Sequence, residues 1–471
     1  MKTRRTQSWL IIAALAIAAP ILSGCTGAST VLTASWPGLA VENNTIYLSY
    51  AKVYSLGLDG TPKWSFPDPN HQLQSGQAFF APPASNDKLV VVSDYTDSVF
   101  GLDPASGQEQ WVFKTNKSRI IGGPVMGDKY IYAASADGIL HAIDASSLSP
   151  SSSGEKTAKE AWSFTTEGSI WSTPLLDSGT LYVTSMDKHV YALDAETGKL
   201  QWKYPDQNSA PENPALGGIV GAPALHKGVL YFSSFNNRLY ALDVETHKIL
   251  WRYTTENWVW GSPVVDDSTG YVIAADLNGN IFAIDPAGSN PEKPVWKVTA
   301  KPPPGGLHAS VVGSPALRML ADGTPAVYVG SDSDPDLYVL KVKDGSNALP
   351  ASPKSLTYTT PTTFLFWETG GTNPPLPLKL YPSPVFSDDT LYLATSEGPN
   401  ALYSLDANSL EYKSGEKPIA TKDVDTALLA KTNQPQPDNG ILGNPQTLLF
   451  MLVIFLVVTL VLRPGPQGGK K

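Results

Sequence analysis

Cysteine is almost missing from this chain: of 471 residues, only Cys25 is one. An internal disulfide is therefore excluded, as is any metal site built from several thiolates. Charge is sparse as well, at 16%, with 34 Lys and Arg against 43 Asp and Glu, a formal balance of -9. An acidic body matches neither nucleic acid nor broad adsorption to anionic lipid. Histidine is scarce too, with six in all, and sequence assigns no base or orienting carboxylate to His308. His308, in Gly305-Gly306-Leu307-His308, is a contact candidate only, because it precedes an innermost strand.

What is present is apolar and heavily punctuated. Hydrophobic residues make up 42% and aromatics 10%, enough for a packed body, while 39 Gly and 40 Pro break it into short runs better suited to strands than to helices. The stretch from Ser172 to Tyr204 shows the pattern most clearly. Thr180–Ser185 and His189–Asp194 are rich in β-branched and aromatic residues and form a hairpin across Met186-Asp187-Lys188. A third run, Lys199–Tyr204, follows a turn in which Asp194 caps backbone N–H groups and Gly198 can take positive φ. Thr173–Leu176 supplies the fourth strand.

That unit recurs. The apolar-Asp step ending its third strand appears at Asp59, Asp103, Asp144, Asp194, Asp243, Asp285, Asp344 (after Lys343) and Asp406. An opening dipeptide ending in Pro recurs at Pro82, Pro124, Pro174, Pro223, Pro263, Pro315 and Pro384. A fourth-strand tryptophan recurs at Trp64, Trp111, Trp162, Trp202, Trp251, Trp296 and, in the seventh unit, Trp367. Spacing of about 50 residues per unit is the range of four-stranded propeller blades. One large ring at one position per blade is what packing between blades needs.

The run Tyr191-Ala192-Leu193-Asp194-Ala195-Glu196-Thr197-Gly198-Lys199 with Trp202 resembles the repeat of pyrroloquinoline-quinone-like propellers, over roughly residues 30 to 415. The resemblance implies an all-β, eight-bladed propeller of four-stranded antiparallel blades, and it is shared by catalytic and non-catalytic proteins. For closure, Val31–Ser35 is expected to complete the last blade's sheet, since an open ring leaves two bare edges. Ser-rich 146–159 and Pro- and Ser-rich 346–363 lengthen loops of the third and seventh units, and 416–446 reads as a linker.

Both ends carry membrane signals. Lys2, Arg4 and Arg5 precede an apolar run, Trp9–Leu22, and then Leu22-Ser23-Gly24-Cys25, which resembles the lipobox of bacterial lipoproteins. Residues 1–24 are thus expected to be a signal peptide and Cys25 the lipidated mature terminus. Removing the three cations leaves 31 against 43, or -12. Near the other end Leu448–Leu462 is uninterrupted by charge, which predicts a transmembrane helix over 447–463 with 464–471 as a cytoplasmic tail bearing Lys470 and Lys471. The body, 25–415, is then extracytoplasmic at a bacterial cell membrane, tethered at both ends.

Function is harder to extract. The quinoprotein dehydrogenases that share this repeat hold the quinone over the channel with Ca²⁺ beneath, but no isolated Asn/Asp/Glu set stands outside the repeat, and adjacent cysteines are lacking. Asp332-Ser333-Asp334-Pro335-Asp336 alternates like a calcium loop yet lacks the following Gly and distal Glu, and reads as a hairpin turn. Three residues before the recurring Pro stand Phe79, Ile121, Trp171, Val220, Trp260, Val312 and Tyr381, with Trp36 in the same place in the first unit. In a closed ring these share one height, so they form either an aromatic collar at the channel, with Phe80, Arg119, Trp258 and His308 nearby, or inter-blade core. The expectation is a non-catalytic platform for a protein partner in a membrane complex, without cofactor or metal. It resembles the propeller lipoproteins of the outer-membrane β-barrel assembly machine. The alternative is a quinone-dependent dehydrogenase with Ca²⁺, or a binder of a small ligand or glycan over the channel.

Overall fold

The computed structural model describes residues 38–68, 77–115, 118–150, 156–207, 209, 215–288, 290–302, 309–332, 336–358, 361–364, 367–372, 376–377, 379–395, 401–413 and 418–431. Cys25, Val31–Ser35, Trp36, His308 and the 447–463 segment lie outside them. Among the described residues no helix is long and apolar enough to cross a membrane.

The architecture is all-β. Six separate four-stranded sheets run in sequence order, and a seventh sheet of eight strands joins two further four-stranded meanders. The unit read from sequence is Leu175–Asp177, Thr180–Thr184, Val190–Asp194 and Leu200–Tyr204, all antiparallel. Middle strands are buried on both faces and the fourth is the most exposed, so each sheet needs a neighbour on either side. The hydrophobic core is correspondingly divided. Tyr182 and Val190 of this meander pack with Leu230 and Phe232 of the next, while its Leu181 and Val183 pack with Tyr132 and Leu140 of the one before. The same holds between the last meander and the first, where Tyr392 and Leu402 pack with Ile46, Leu48 and Leu56. The sheets therefore form a closed ring of propeller type.

The recurrent Asp, Gly and Trp hold this ring together. Asp194 accepts hydrogen bonds from the Thr197 N–H at 2.8 Å and the Thr197 hydroxyl at 2.7 Å, and Gly198 sits at φ +70°. A Cβ on Gly198 would lie 2.5 Å from Trp162 of the preceding meander, so the glycine is a seat for its neighbour's indole. Gly107 seats Trp64 and Gly345 seats Trp296 in the same way, and the indole N–H of Trp64 donates to the Pro104 carbonyl at 2.8 Å.

Three expectations change. The 146–159 insertion is not a plain loop: its ends extend two strands, Ile139–Pro150 and Lys156–Thr165, into a long hairpin. Its Thr157 bridges Val112, and Ala158 packs against the core containing Trp111, which fuses two meanders into the eight-stranded sheet. Trp367 is not on a fourth strand, because Lys354–Ser355 fills that position and Trp367–Thr372 pairs instead with Pro361–Phe364 in a separate two-stranded sheet. Finally, the place beside the last third strand, given from sequence to Val31–Ser35, is taken by Ile419–Ala420, which pairs with Ala401 and Leu402. Helix α1, Thr421–Lys431, follows, with Val424 and Leu428 one turn apart and buried in the core between last and first meanders. Asp425 bonds Lys52 at 3.3 Å and the Tyr54 hydroxyl at 3.2 Å. Part of the stretch expected as linker thus belongs to the packed body.

Candidate functional site

In a four-stranded antiparallel meander the second turn lies at the same end as the chain's entry from the preceding sheet. Backbone bonds fix that end. The first residue of the second turn donates to a carbonyl on the incoming segment: Tyr95 to Ala78, Ala136 to Arg119, Met186 to Ser169, Phe235 to Gly218, Leu277 to Trp258 and Asp332 to Ser310. The residue two beyond each acceptor is then Phe80, Ile121, Trp171, Val220, Trp260 and Val312, and all six line one cavity of about 240 Å³, with Leu39 and Tyr381 completing the ring. Every meander contributes, so the cavity lies on the ring's axis.

Part of the pre-proline series lines this cavity. Trp171, Trp260 and Tyr381 are at the channel, as are Ile121, Val220 and Val312, all reached through the pre-proline spacing. Phe79 is not: it is fully buried between meanders against Phe66 and Phe100, at ring centroids 5.9 Å and 6.2 Å. Its place is held by Phe80. The tandem Pro82-Pro83 explains the slip, because Pro83, one residue later, is the counterpart of Pro124 and Pro174. With that register, bulky aromatics (Phe80, Trp171, Trp260, Tyr381) alternate around the ring with Ile121, Val220 and Val312. A large ring beside a small side chain lets Trp171 and Trp260 approach to 6.2 Å across the intervening Val220.

Arg119 and Trp258 share the position two residues further out. Trp258 is 40% exposed and stacks on Phe235 at 4.5 Å and 20°, and Phe235 in turn meets Trp260 at 5.8 Å. Across the mouth, Phe80 packs edge-on to Tyr95 at 4.9 Å and the Arg119 guanidinium lies 5.1 Å from the Tyr95 ring. Phe235 and Tyr95 were missed from sequence because they look like ordinary turn positions. The available signal was an aromatic where a turn favours a polar residue.

The cavity wall carries little titratable chemistry. Tyr381 is the one ionisable side chain in the cavity wall. The cofactor implied by quinoprotein relatives of this repeat does not fit: Ca²⁺ takes six to eight oxygens, mostly carboxylates, and an anionic quinone buried without a cation is strongly disfavoured. Among the described residues no group of His, Cys, Asp and Glu could hold a metal ion. One Ser-His-acid arrangement occurs elsewhere, with the Ser135 hydroxyl 3.3 Å from His141 Nε2 and His141 Nδ1 2.6 Å from Glu160. Ser135 is fully buried and also bonds Asp137 and the Ile139 carbonyl, so substrate has no route to it.

Comparison with known proteins agrees with this geometry. A family model described as outer membrane protein assembly factor BamB matches residues 26–149, 152–217 and 207–417. Curated relatives include BamB of Nitrosomonas eutropha, 27% identical over 187 residues (39% of this chain, 42% of the relative), and BamB of Burkholderia pseudomallei, 29% identical over 131 residues (28% and 31%). Quinohemoprotein alcohol dehydrogenase ADH IIB of Pseudomonas putida is 28% identical over 166 residues, 31% of this chain and 22% of that protein. The match thus spans less than half the length of each. Among solved structures, BamB from Moraxella catarrhalis has a TM-score of 0.54 at 14% identity, covering 76% of this chain and 93% of that one. The computationally designed Ika8 protein reaches 0.55 at 13% identity, covering 79% and 96%. With the family model matching most of its length, the chain belongs to the BamB family of PQQ-like repeat proteins.

Proposed function

We propose that this protein is a non-catalytic, eight-bladed propeller that holds a protein partner within a membrane-associated complex on the extracytoplasmic side of a bacterial membrane. The observation that carries the reading is the mouth: an aromatic surface around an axial cavity, with an exposed Trp258 and Arg119 at its rim and no carboxylate, histidine or lysine in its wall. Tryptophan, tyrosine and arginine are the residues that dominate protein contacts. Membership of the BamB family supports a role in assembly. The sequence supports tethering by a lipid on Cys25 and by the apolar 447–463 segment.

A photocrosslinking residue in place of Arg119 or Trp258, activated in native membranes before mild-detergent purification, tests this. A second protein crosslinked at either position is expected. Recovery of the propeller alone from both positions rules the platform out. The dehydrogenase reading rests on the Pseudomonas putida relative. Reconstitution with quinone and Ca²⁺ is expected to give no bound-quinone absorbance.

A further inference from the structure

We infer that the segment entering the mouth is an uncharged, extended peptide containing proline. This rests on the mouth being the protein-contact surface proposed above, and it adds the chemistry of what enters. Size excludes bulk: about 240 Å³ cannot admit an α-helix roughly 10 Å across, whereas an extended strand of chain tip can enter. Charge is excluded by the wall, which offers no carboxylate, Lys or Arg to compensate an ion taken out of water.

The rings form a path from wall to rim. Trp171 meets Trp260 at 6.2 Å, Trp260 meets Phe235 at 5.8 Å, and Phe235 stacks on Trp258 at 4.5 Å. At 6.2 Å, Trp171 and Trp260 are too close to admit a further ring between them, so an occupant lies over the series. Pyrrolidine rings stack on such a path, and polyproline II segments dock in aromatic-lined grooves at low entropic cost.

Hydrogen bonding separates peptide from sugar. Among the described residues no protein acceptor meets the indole N–H of Trp171 or Trp258, so the path has donors to give. Part of the wall's side-chain acceptor capacity is already taken. The wall's Thr173, Ser314 and Ser383 hydroxyls already accept from the backbone N–H of Gly123, Ser262 and Ser314 at 2.8, 2.8 and 3.1 Å. A pyranose presents hydroxyls that donate as well as accept, whereas a proline-containing segment presents carbonyls and lacks the N–H that would need an acceptor.

The test uses the full chain in detergent micelles and a fluorescein-labelled decapeptide, Pro-Pro-Leu-Pro-Pro-Leu-Pro-Pro-Leu-Pro, read by anisotropy. Expected is saturable binding at least about tenfold tighter than a Gly-Ser decapeptide, weakened about tenfold by Trp258→Ala or Trp171→Ala and weakened less by Trp258→Phe, which keeps a stacking ring but loses the indole N–H. Circular dichroism of the variants checks folding. Absence of binding at roughly millimolar peptide, equal binding of the Gly-Ser peptide, displacement by chitohexaose, or indifference to both alanine variants overturns the inference. The two readings fail separately: a partner crosslinked at position 258 without peptide binding removes the proline preference and leaves the platform. Peptide binding without any crosslinked partner removes the platform.

Discussion

Gly198 and Gly228 both hold φ near +75°, at +70° and +78°, yet they stand in different surroundings. A Cβ on Gly198 would come within 2.5 Å of Trp162, whereas one on Gly228 would meet nothing within 4 Å. Gly228→Ala therefore costs only the left-handed strain of an L-residue, about 1–2 kcal/mol. Gly198→Ala adds displacement of the neighbouring indole, about 1–3 kcal/mol more. Urea unfolding of the two variants checks this, and equal costs would mean that the indole is not seated on the turn. Adjacent phenylalanines make a second pair. Phe79 is fully buried among Phe66 and Phe100, so Phe79→Ala is expected to cost about 3–5 kcal/mol. Phe80 is half-buried beside the mouth, so Phe80→Ala is expected to cost about 1 kcal/mol and to reduce crosslinking to the partner. Trp162 and Gly198 were legible in sequence because the repeat states their roles several times. Phe80 was not, because two prolines in a row leave the counting ambiguous by one, and only the backbone bond from Tyr95 to Ala78 settles it.

Turns between third and fourth strands are the elements most directly coupled to solution conditions. The carboxyls of Asp103, Asp144, Asp194, Asp243 and Asp344 are held below the usual carboxylate range, first by a Ser or Thr hydroxyl two or three residues on. A group whose pKa is lower folded than unfolded contributes stability above its unfolded pKa and loses it as pH falls through the folded value. The urea midpoint is thus expected to be flat from pH 7 to about 5 and to fall below about 4, with a smaller drop in Asp194→Asn. A fall beginning between pH 7 and 6 would assign the dependence to histidine. These turns were readable from the chain, whereas the hairpin of Ile139–Pro150 and Lys156–Thr165 was not. Serine-rich sequence looks like loop until Ala158 is seen filling the core around Trp111. Ile419–Ala420 escaped for the opposite reason: two residues give no period to read, and their pairing is decided by the edge they meet.

Ring closure belongs to the whole molecule. Elsewhere consecutive meanders are linked by chain, but the last and first meet with no direct connection and are held by side chains and α1. The Tyr50 hydroxyl donates to the Thr395 carbonyl, the Tyr392 hydroxyl to the Leu58 carbonyl at 3.0 Å, and Val424 and Leu428 are buried in the shared core. If α1 acts as a clasp on this junction, equal local damage has unequal consequences around the ring. Leu428→Ala and Leu242→Ala each remove a buried leucine and are each expected to cost about 2–5 kcal/mol. Leu242 lies between meanders joined by chain, so that variant is expected to unfold in one step at lower denaturant. Truncation after Lys413 removes both Ile419–Ala420 and α1, so it is expected to separate the first and last meanders before the rest unfolds, giving two transitions and early loss of hydrogen-exchange protection at Ile46 and Leu402. A single transition in the truncated chain, with protection at those two residues equal to that at Leu242, would mean that the remaining side-chain contacts close the ring without the helix.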